Sequence, residues 1–359
     1  MNILLAYPEY PNTFWSFRHA LSFIRKKAAF PPLGLLTVAS LLPAEWNVRL
    51  VDMNVQTIRD ADFKWADMVF VSAMIVQKDS AQEILDRAKM HGKRTVVGGP
   101  FFTSCDKKSV RGADHFVLNE AEITLPEFLR DFNCGNPKSE YTSANKPNLN
   151  ITPLPRWDLI NFRHYATMPI QYTRGCPYNC EFCDITILYG RKTRLKETSQ
   201  FIAEVEALYR AGWRDSVFIV DDNFVGNIVR VKEMLPHLVV WQTTHGYPFS
   251  FFTEASVNLA KDPTLLCLLR DAGFTKVFLG IETPRRDGLI ACKKGQNVNV
   301  NLAEAVRTVH SYGIEVLAGF IVGFDTDDPA VFDDQITFIQ TTGIVNAMVG
   351  LLSALPKTA

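Results

Sequence analysis

The chain has 359 residues, 47% of them hydrophobic and 21% charged, with Lys+Arg and Asp+Glu balanced at 38 each. That balance gives no basic surface for nucleic acid and no cationic face for an anionic membrane, and a chain of this length buries a large core without disulfides or structural metal. No stretch approaches the roughly 18 apolar residues of a membrane span, and MNILLAYPEY lacks the charged start of a signal peptide, so the cytoplasm is the expected location.

In chain order, NILLAY, NVRLVD, MVFVSA, TVVGG and HFVL are short, apolar, β-branched runs. Between and after them lie the helical patterns LGLLTVASLL, SAQEILDRAKMHG and EITLPEFLRDF. Near-continuous apolar strands separated by helices imply a parallel sheet covered on both faces. The expectation over residues 1–132 is an α/β, flavodoxin-like (Rossmann-type) domain that binds ligands at the carboxyl ends of its strands. The loop 8–32 carries Trp15, Phe17, His19 and Phe23, and reads as a lid or as extra packing. Residues 133–167 are rich in Asn, Ser and Pro at first and read as a linker.

From residue 168 to 359 the alternation resumes, with strands at MPIQYT, SVFIVD, FSFFTE, KVFLGI, EVLAGFI and NAMVGLL. Gly212, Gly273, Gly313 and Gly343 stand where the intervening helices should stop. Six strand–helix units predict a partial (β/α)6 TIM-type barrel. Chemistry in such barrels collects at the carboxyl ends of the strands. Those ends carry RGCPYNCEFC, then Asp221, Asp222 and Asn223, then Glu254 and Ser256, then Glu282, then Gly319 and Gly323.

Of seven cysteines, Cys176, Cys180 and Cys183 crowd into eight residues. Three thiolates on one loop are soft ligands for an iron–sulfur cluster or for zinc. Structural zinc prefers four ligands in paired spacings, and no fourth Cys or His follows closely. Three ligands on a cubane leave one iron open.

RGCPYNCEFC resembles the signature of the radical S-adenosylmethionine superfamily. The resemblance implies a [4Fe–4S] cluster held by Cys176, Cys180 and Cys183, with S-adenosylmethionine chelated at the open iron and cleaved to an adenosyl radical. It places Phe182 near the adenine. Many relatives carry Gly-Gly-Glu after the second strand to hold the methionine amino group; here Asp221, Asp222 and Asn223 stand there. Glu254 and Ser256 would meet ribose hydroxyls, and Glu282, in GIETP, and Gly319 complete the expected cofactor set. Helix caps, salt bridges to Arg194 or Lys294, and close packing at the glycines are the structural alternatives.

Residues 1–132 resemble the cobalamin-binding domain that precedes many such enzymes. The resemblance rests on strand order, Pro31-Pro32-Leu33-Gly34, Ser72-Ala73-Met74 and Gly98-Gly99-Pro100. It implies cobalamin between the two domains, against Ser72, Ala73, Met74, Gly98, Gly99 and Pro100. The Asp-x-His-x-x-Gly motif that supplies a cobalt ligand elsewhere is replaced by AYPEYPNTF, and His19 lacks that context. The implied activity is cobalamin-dependent methyl transfer to an unactivated carbon of a small molecule, nearest to hopanoid C-methylases. An electron donor such as a flavodoxin or ferredoxin would be a partner. Radical cyclisation and a non-catalytic iron–sulfur or zinc protein are the alternatives. RNA methylthiolation is rejected, because the N-terminal domain offers only Cys105 and Cys134 for a second cluster. Relatives continue past SALPKTA into a further domain, so a partial sequence is expected.

Overall fold

A computed structural model describes residues 1–13 and 16–358, and Trp15 lies outside the described residues. The chain forms two compact units, residues 1–169 with 207–213, and residues 170–206 with 214–359.

The first unit holds β1 (Asn2–Tyr7), β2 (Asn47–Asp52), β3 (Met68–Ser72), β4 (Arg94–Gly98), β5 (His115–Val117) and β6 (Glu140–Tyr141). They make one sheet in the order β2-β1-β3-β4-β5-β6. Every pair is parallel. The first five are the expected strands in the flavodoxin order, with the order reversing between β1 and β3. Ile3, Leu4, Leu5 and Ala6 of β1 are all fully buried, as a strand covered on both faces requires. Helices Leu33–Leu41, Lys78–Met90 and Ala121–Asn133 match the helical patterns.

Segment 133–167 contributes β6 and three short 3-10 turns. Two of those turns are capped by Asn148 and Asn161, whose side chains accept from backbone N–H groups two residues on. Its apolar anchors Trp157 and Tyr165 are buried, and the Tyr165 hydroxyl donates to Asp52 Oδ2 at 3.0 Å. The loop after β1 contains a short helix, Arg18–Phe23, that leaves Phe23 89% exposed. Phe17 is also exposed, so neither ring is core packing.

The second sheet runs β7-β10-β11-β12-β13-β14. Its strands are β7 (Met168–Ile170), β10 (Ser216–Ile219), β11 (Ser250–Ala255), β12 (Phe274–Glu282), β13 (Glu315–Val322) and β14 (Asn346–Leu351). Between β7 and β10 a small antiparallel pair, β8 (Thr173–Arg174) and β9 (Arg194–Leu195), closes the neck of the cysteine loop. Each new strand joins beside its predecessor in parallel, which is the partial barrel expected. Gly273, Gly313 and Gly343 have φ of +86°, +79° and +72°, the left-handed stop their positions foretold. The helix Ile228–Thr244 runs past Pro236, and Leu238, Trp241 and Gln242 keep its inner face buried.

Candidate active site

The cysteine loop starts at Gly175, whose φ of +90° suits glycine. A Cβ there would lie 2.9 Å from the carbonyls of Gly190 and Lys192, so the two ends of the loop close on a bare backbone. Cys176, Cys180 and Cys183 are free and half-buried. The Asn223 amide lies 3.8 Å from Cys176 Sγ, and Gln296 Nε2 lies 3.5 Å from Cys180 Sγ, both as donors. Burial raises the Cys176 thiol and pushes Cys183 up to about 12, so in the protein alone these groups are neutral. Metal coordination is what removes such protons. Among the described residues no three Cys, His, Asp or Glu side chains converge on a single ion. Three soft thiol ligands on one loop, two with amide donors beside them, would suit an iron–sulfur cluster.

Asp221, Asp222 and Asn223 follow β10 and grip the neck of this loop. Asp221 is buried and accepts the Tyr172 N–H at 2.8 Å. Burial raises its carboxyl to about 7, against the pull of the Thr173 and Tyr172 peptide groups. Asp222 accepts the Gly175 N–H at 2.6 Å; burial raises it to about 6, opposed by that N–H and by Arg174 and Arg194. Asn223 reaches Cys176 with its nitrogen and accepts from Ser256 N and Oγ with its oxygen, at 3.1 and 3.2 Å. Ser256 is therefore occupied by protein contacts, its one hydroxyl proton having Asn223 Oδ1 and Asn258 Oδ1 as its two acceptors.

Glu254 points from β11 into open space, exposed to water although protein surrounds it. Desolvation raises its carboxyl, Asp222 and Glu282 repel it further, and Lys294 pulls the other way; water screens part of each effect. Glu282 is the most strained of the set. The β12–β13 register slips between Gly280 and Glu282, and Glu282 takes φ +66°. That turn delivers its carboxylate to Lys294 Nζ at 2.5 Å, both groups being buried. Gly280 has no side chain because one would collide with this pair. Burial alone would lower the ammonium pKa, but Glu282 and then the Cys180 sulfur hold it above its ordinary value. The same ammonium sits 5.9 Å from the ring centre of Phe182, which packs beside Phe324 at 6.5 Å. Gly319 instead makes room for Phe278, whose ring would lie 2.8 Å from a Cβ.

Lys294 and Gln296 were not singled out as site residues from sequence. Both come from the turn region after the helix Arg286–Ala291, where no motif or spacing marks them, and only the fold brings them to the thiols.

At the rim of the first sheet, Ser72 and Ala73 end β3, and the Ala73 carbonyl accepts from Phe101 N at 3.0 Å. Met74 is exposed; its sulfur accepts from the Tyr10 hydroxyl at 3.4 Å, and Tyr10 is joined to Tyr7 at 2.7 Å. The glycines make room first for protein. A Cβ on Gly98 would meet the Val117 carbonyl at 2.7 Å, and one on Gly99 would meet Ser72 Oγ at 2.5 Å. Pro100 begins the helix Pro100–Ser104. Beneath this rim lies an apolar cleft of about 50 Å³, lined by Leu35, Val71, Val97, Val117 and Leu125 among others, with Gly98 and Gly99 at its edge. Its walls suit the apolar edge of a cofactor tail, but it must widen to admit one, since small-molecule sites generally need about 300 Å³ or more.

Family models agree with the two units: the B12 binding domain matches residues 25–129 and the Radical SAM superfamily matches residues 170–338. An uncharacterized methyltransferase of Synechocystis is 47% identical over all of this chain and 67% of its own length. The chain belongs to the radical S-adenosylmethionine superfamily, in its cobalamin-binding methyltransferase branch, and its cofactors are a [4Fe–4S] cluster, S-adenosylmethionine and cobalamin. Within that branch it is similar to the hopanoid C-2 methylase of Rhodopseudomonas palustris, 40% identical over 99% of this chain and 68% of that one. In fold it resembles the radical methyltransferase TsrM of Kitasatospora setae, with a TM-score of 0.74 at 16% identity over 98% of this chain and 72% of that one. No helix among the described residues is long and apolar enough to cross a membrane.

Proposed function

We propose that Cys176, Cys180 and Cys183 hold the cluster and that the chain methylates an unactivated carbon of an apolar, polycyclic lipid. The observation that carries this reading is the loop itself: three free thiols, two with amide donors beside them. When bound, the cluster supplies the electron that cleaves the sulfonium, and cobalamin carries the methyl group. The protein's part is charge and shape. Asp222, Glu254 and Glu282 are carboxylates near enough to repel one another, an arrangement that gains from a cationic ligand. S-adenosylmethionine carries both an ammonium and a sulfonium, and Asp222 and Glu254 are our candidates to receive the ammonium and the ribose hydroxyls. Phe182 offers an apolar face for the adenine, held in place by Phe324. Asp221, Asn223 and Ser256 act one step back, fixing the loop. Cobalamin would lie against Ser72, Ala73, Met74 and Gly98 to Pro100.

A methyltransferase acting on nitrogen or oxygen needs no cluster, because S-adenosylmethionine already alkylates nucleophiles. A C–H acceptor must be broken homolytically, which explains the pairing of the two cofactors. Likeness to a hopanoid C-2 methylase supports the apolar substrate. A flavodoxin or ferredoxin would supply the electron.

The test is anaerobic incubation with methyl-deuterated S-adenosylmethionine, cobalamin, reductant and a polycyclic triterpene. The lipid should gain a labelled methyl on carbon, with 5′-deoxyadenosine and S-adenosylhomocysteine formed in equal amounts. Substrate-dependent formation of 5′-deoxyadenosine from S-adenosylmethionine without methyl transfer would move the reading to radical cyclisation.

A further inference from the structure

The cysteine loop has an outer face that the reading above leaves unused. Pro177, Tyr178 and Asn179, the three residues between Cys176 and Cys180, form one wall of a groove of about 440 Å³. Its other walls bring Arg191, Lys261 and Lys293 from three separate segments of the barrel unit. No carboxylate lines it, although the chain as a whole is neutral. All three cations are exposed. Lys293 lies 3.4 Å from Glu181, in a pair exposed enough to be worth little. Gln296 lines the same groove and is also the residue whose amide donates to Cys180 Sγ at 3.5 Å. The groove is thus one side chain away from a cluster thiol.

We propose that this groove is the docking face for an acidic one-electron carrier protein. The inference rests on the cluster assignment above and adds where the electron enters. One electron leaves the carrier, which is oxidised by one equivalent, and enters the cluster, which is reduced by one; no atom is transferred. Electron tunnelling weakens steeply with distance, so the carrier must dock where the thiols lie closest to the surface. Exposed cations suit such an encounter: they steer an acidic partner, speed association at low salt, and release it readily through a small interface. Tyr178, half-buried in the wall, adds an amphipathic contact of the kind interfaces favour.

The experiment uses the chain with its cluster reconstituted, reduced flavodoxin as the probe, and photoreduced 5-deazaflavin as a small neutral reductant. Cluster bleaching is followed by stopped flow, and binding of oxidised flavodoxin by calorimetry. The variant is Arg191→Glu/Lys261→Glu/Lys293→Glu, with Lys64→Glu/Lys89→Glu/Arg94→Glu in the other unit as a control of equal charge change. Expected is a fall of roughly 10-fold or more in the flavodoxin rate and a matching loss of binding in the groove variant only. Salt dependence should flatten, while the deazaflavin rate and iron content stay at the parental level. A groove variant reduced by flavodoxin at the parental rate overturns the proposal. So does a parental protein that deazaflavin reduces and flavodoxin does not. A parental protein that takes up no cluster at all indicts the cluster assignment instead.

Discussion

The two six-stranded parallel sheets carry opposite kinds of rim. At the first sheet the strand ends present backbone, glycine and small or apolar side chains: Ser72, Ala73, Gly98, Gly99 and an apolar cleft below. At the second they present ionisable groups, most of them buried or half-buried: Asp221, Asp222, the Glu282–Lys294 pair and three thiols, with Glu254 exposed among them. On the function proposed above, the same architecture would admit one ligand by shape and hold another by charge. The first kind costs little desolvation and depends on a few missing atoms. The second stores unfavourable electrostatics in the empty protein, to be relieved by metal and cation.

Four changes would break or sharpen that contrast. The largest effect belongs to the thiols: Cys176→Ala/Cys180→Ala/Cys183→Ala should abolish iron uptake on anaerobic reconstitution. Cys267→Ala, in the helix Pro263–Asp271, should retain it; full iron in the triple variant would refute the assignment. Next is Lys294→Met. Leaving Glu282 buried without its cation should cost about 3–5 kcal/mol in urea unfolding of the apoprotein, and adding Glu282→Gln should restore much of that. If the single and double variants lose the same, the pair is not the strained element described.

The third change tests charge storage through pH. The Asp221 carboxyl sits at about 7 when folded, above the ordinary 3.8. Between those values the folded chain keeps a proton that the unfolded chain has lost. Stability is therefore full below pH 3.8, falls as pH rises to about 7, and is flat beyond. Asp221→Asn should lack this fall, so its stability relative to the parent should rise by roughly 2–4 kcal/mol from pH 4 to pH 8. Parallel pH curves would show that the group is not buried as an acid. The smallest effect is at the neutral rim. Gly99 has φ +89° and ψ −177°, a region open essentially to glycine alone. Gly99→Ala should cost about 1–3 kcal/mol in the absence of any cobalamin, and Ser72→Ala should recover part of it by removing the clashing Oγ. A cost appearing only with cobalamin present would assign the glycine to the ligand instead.

The strand order, the helix stops and the cysteine loop were all legible, because each depends on local pattern: apolar runs, glycine at left-handed caps, thiols at fixed spacing. Less legible was what each rim residue touches. Asp221, Asp222 and Asn223 read as cofactor ligands, and what the sequence did not show is that they also grip Tyr172, Gly175, Cys176 and Ser256. Gly98, Gly99 and Gly319 read as ligand cradles or as close-packing positions, and what the sequence did not show is that Val117, Ser72 and Phe278 are the groups a Cβ there would meet. Segment 133–167 read as a linker because its polar residues serve as turn caps, and its strand β6 is two residues long.

By itself, the sequence determined that two α/β units follow one another and that three thiols share one strand-end loop. Periodicity and spacing are properties of neighbours along the chain. The tertiary structure alone decided that Gln296 would reach a thiol 116 residues away and that it would line a cationic groove with Arg191, Lys261 and Lys293. Those pairings join segments distant in sequence, and their energies arise from burial and charge proximity, neither of which exists until the chain has folded.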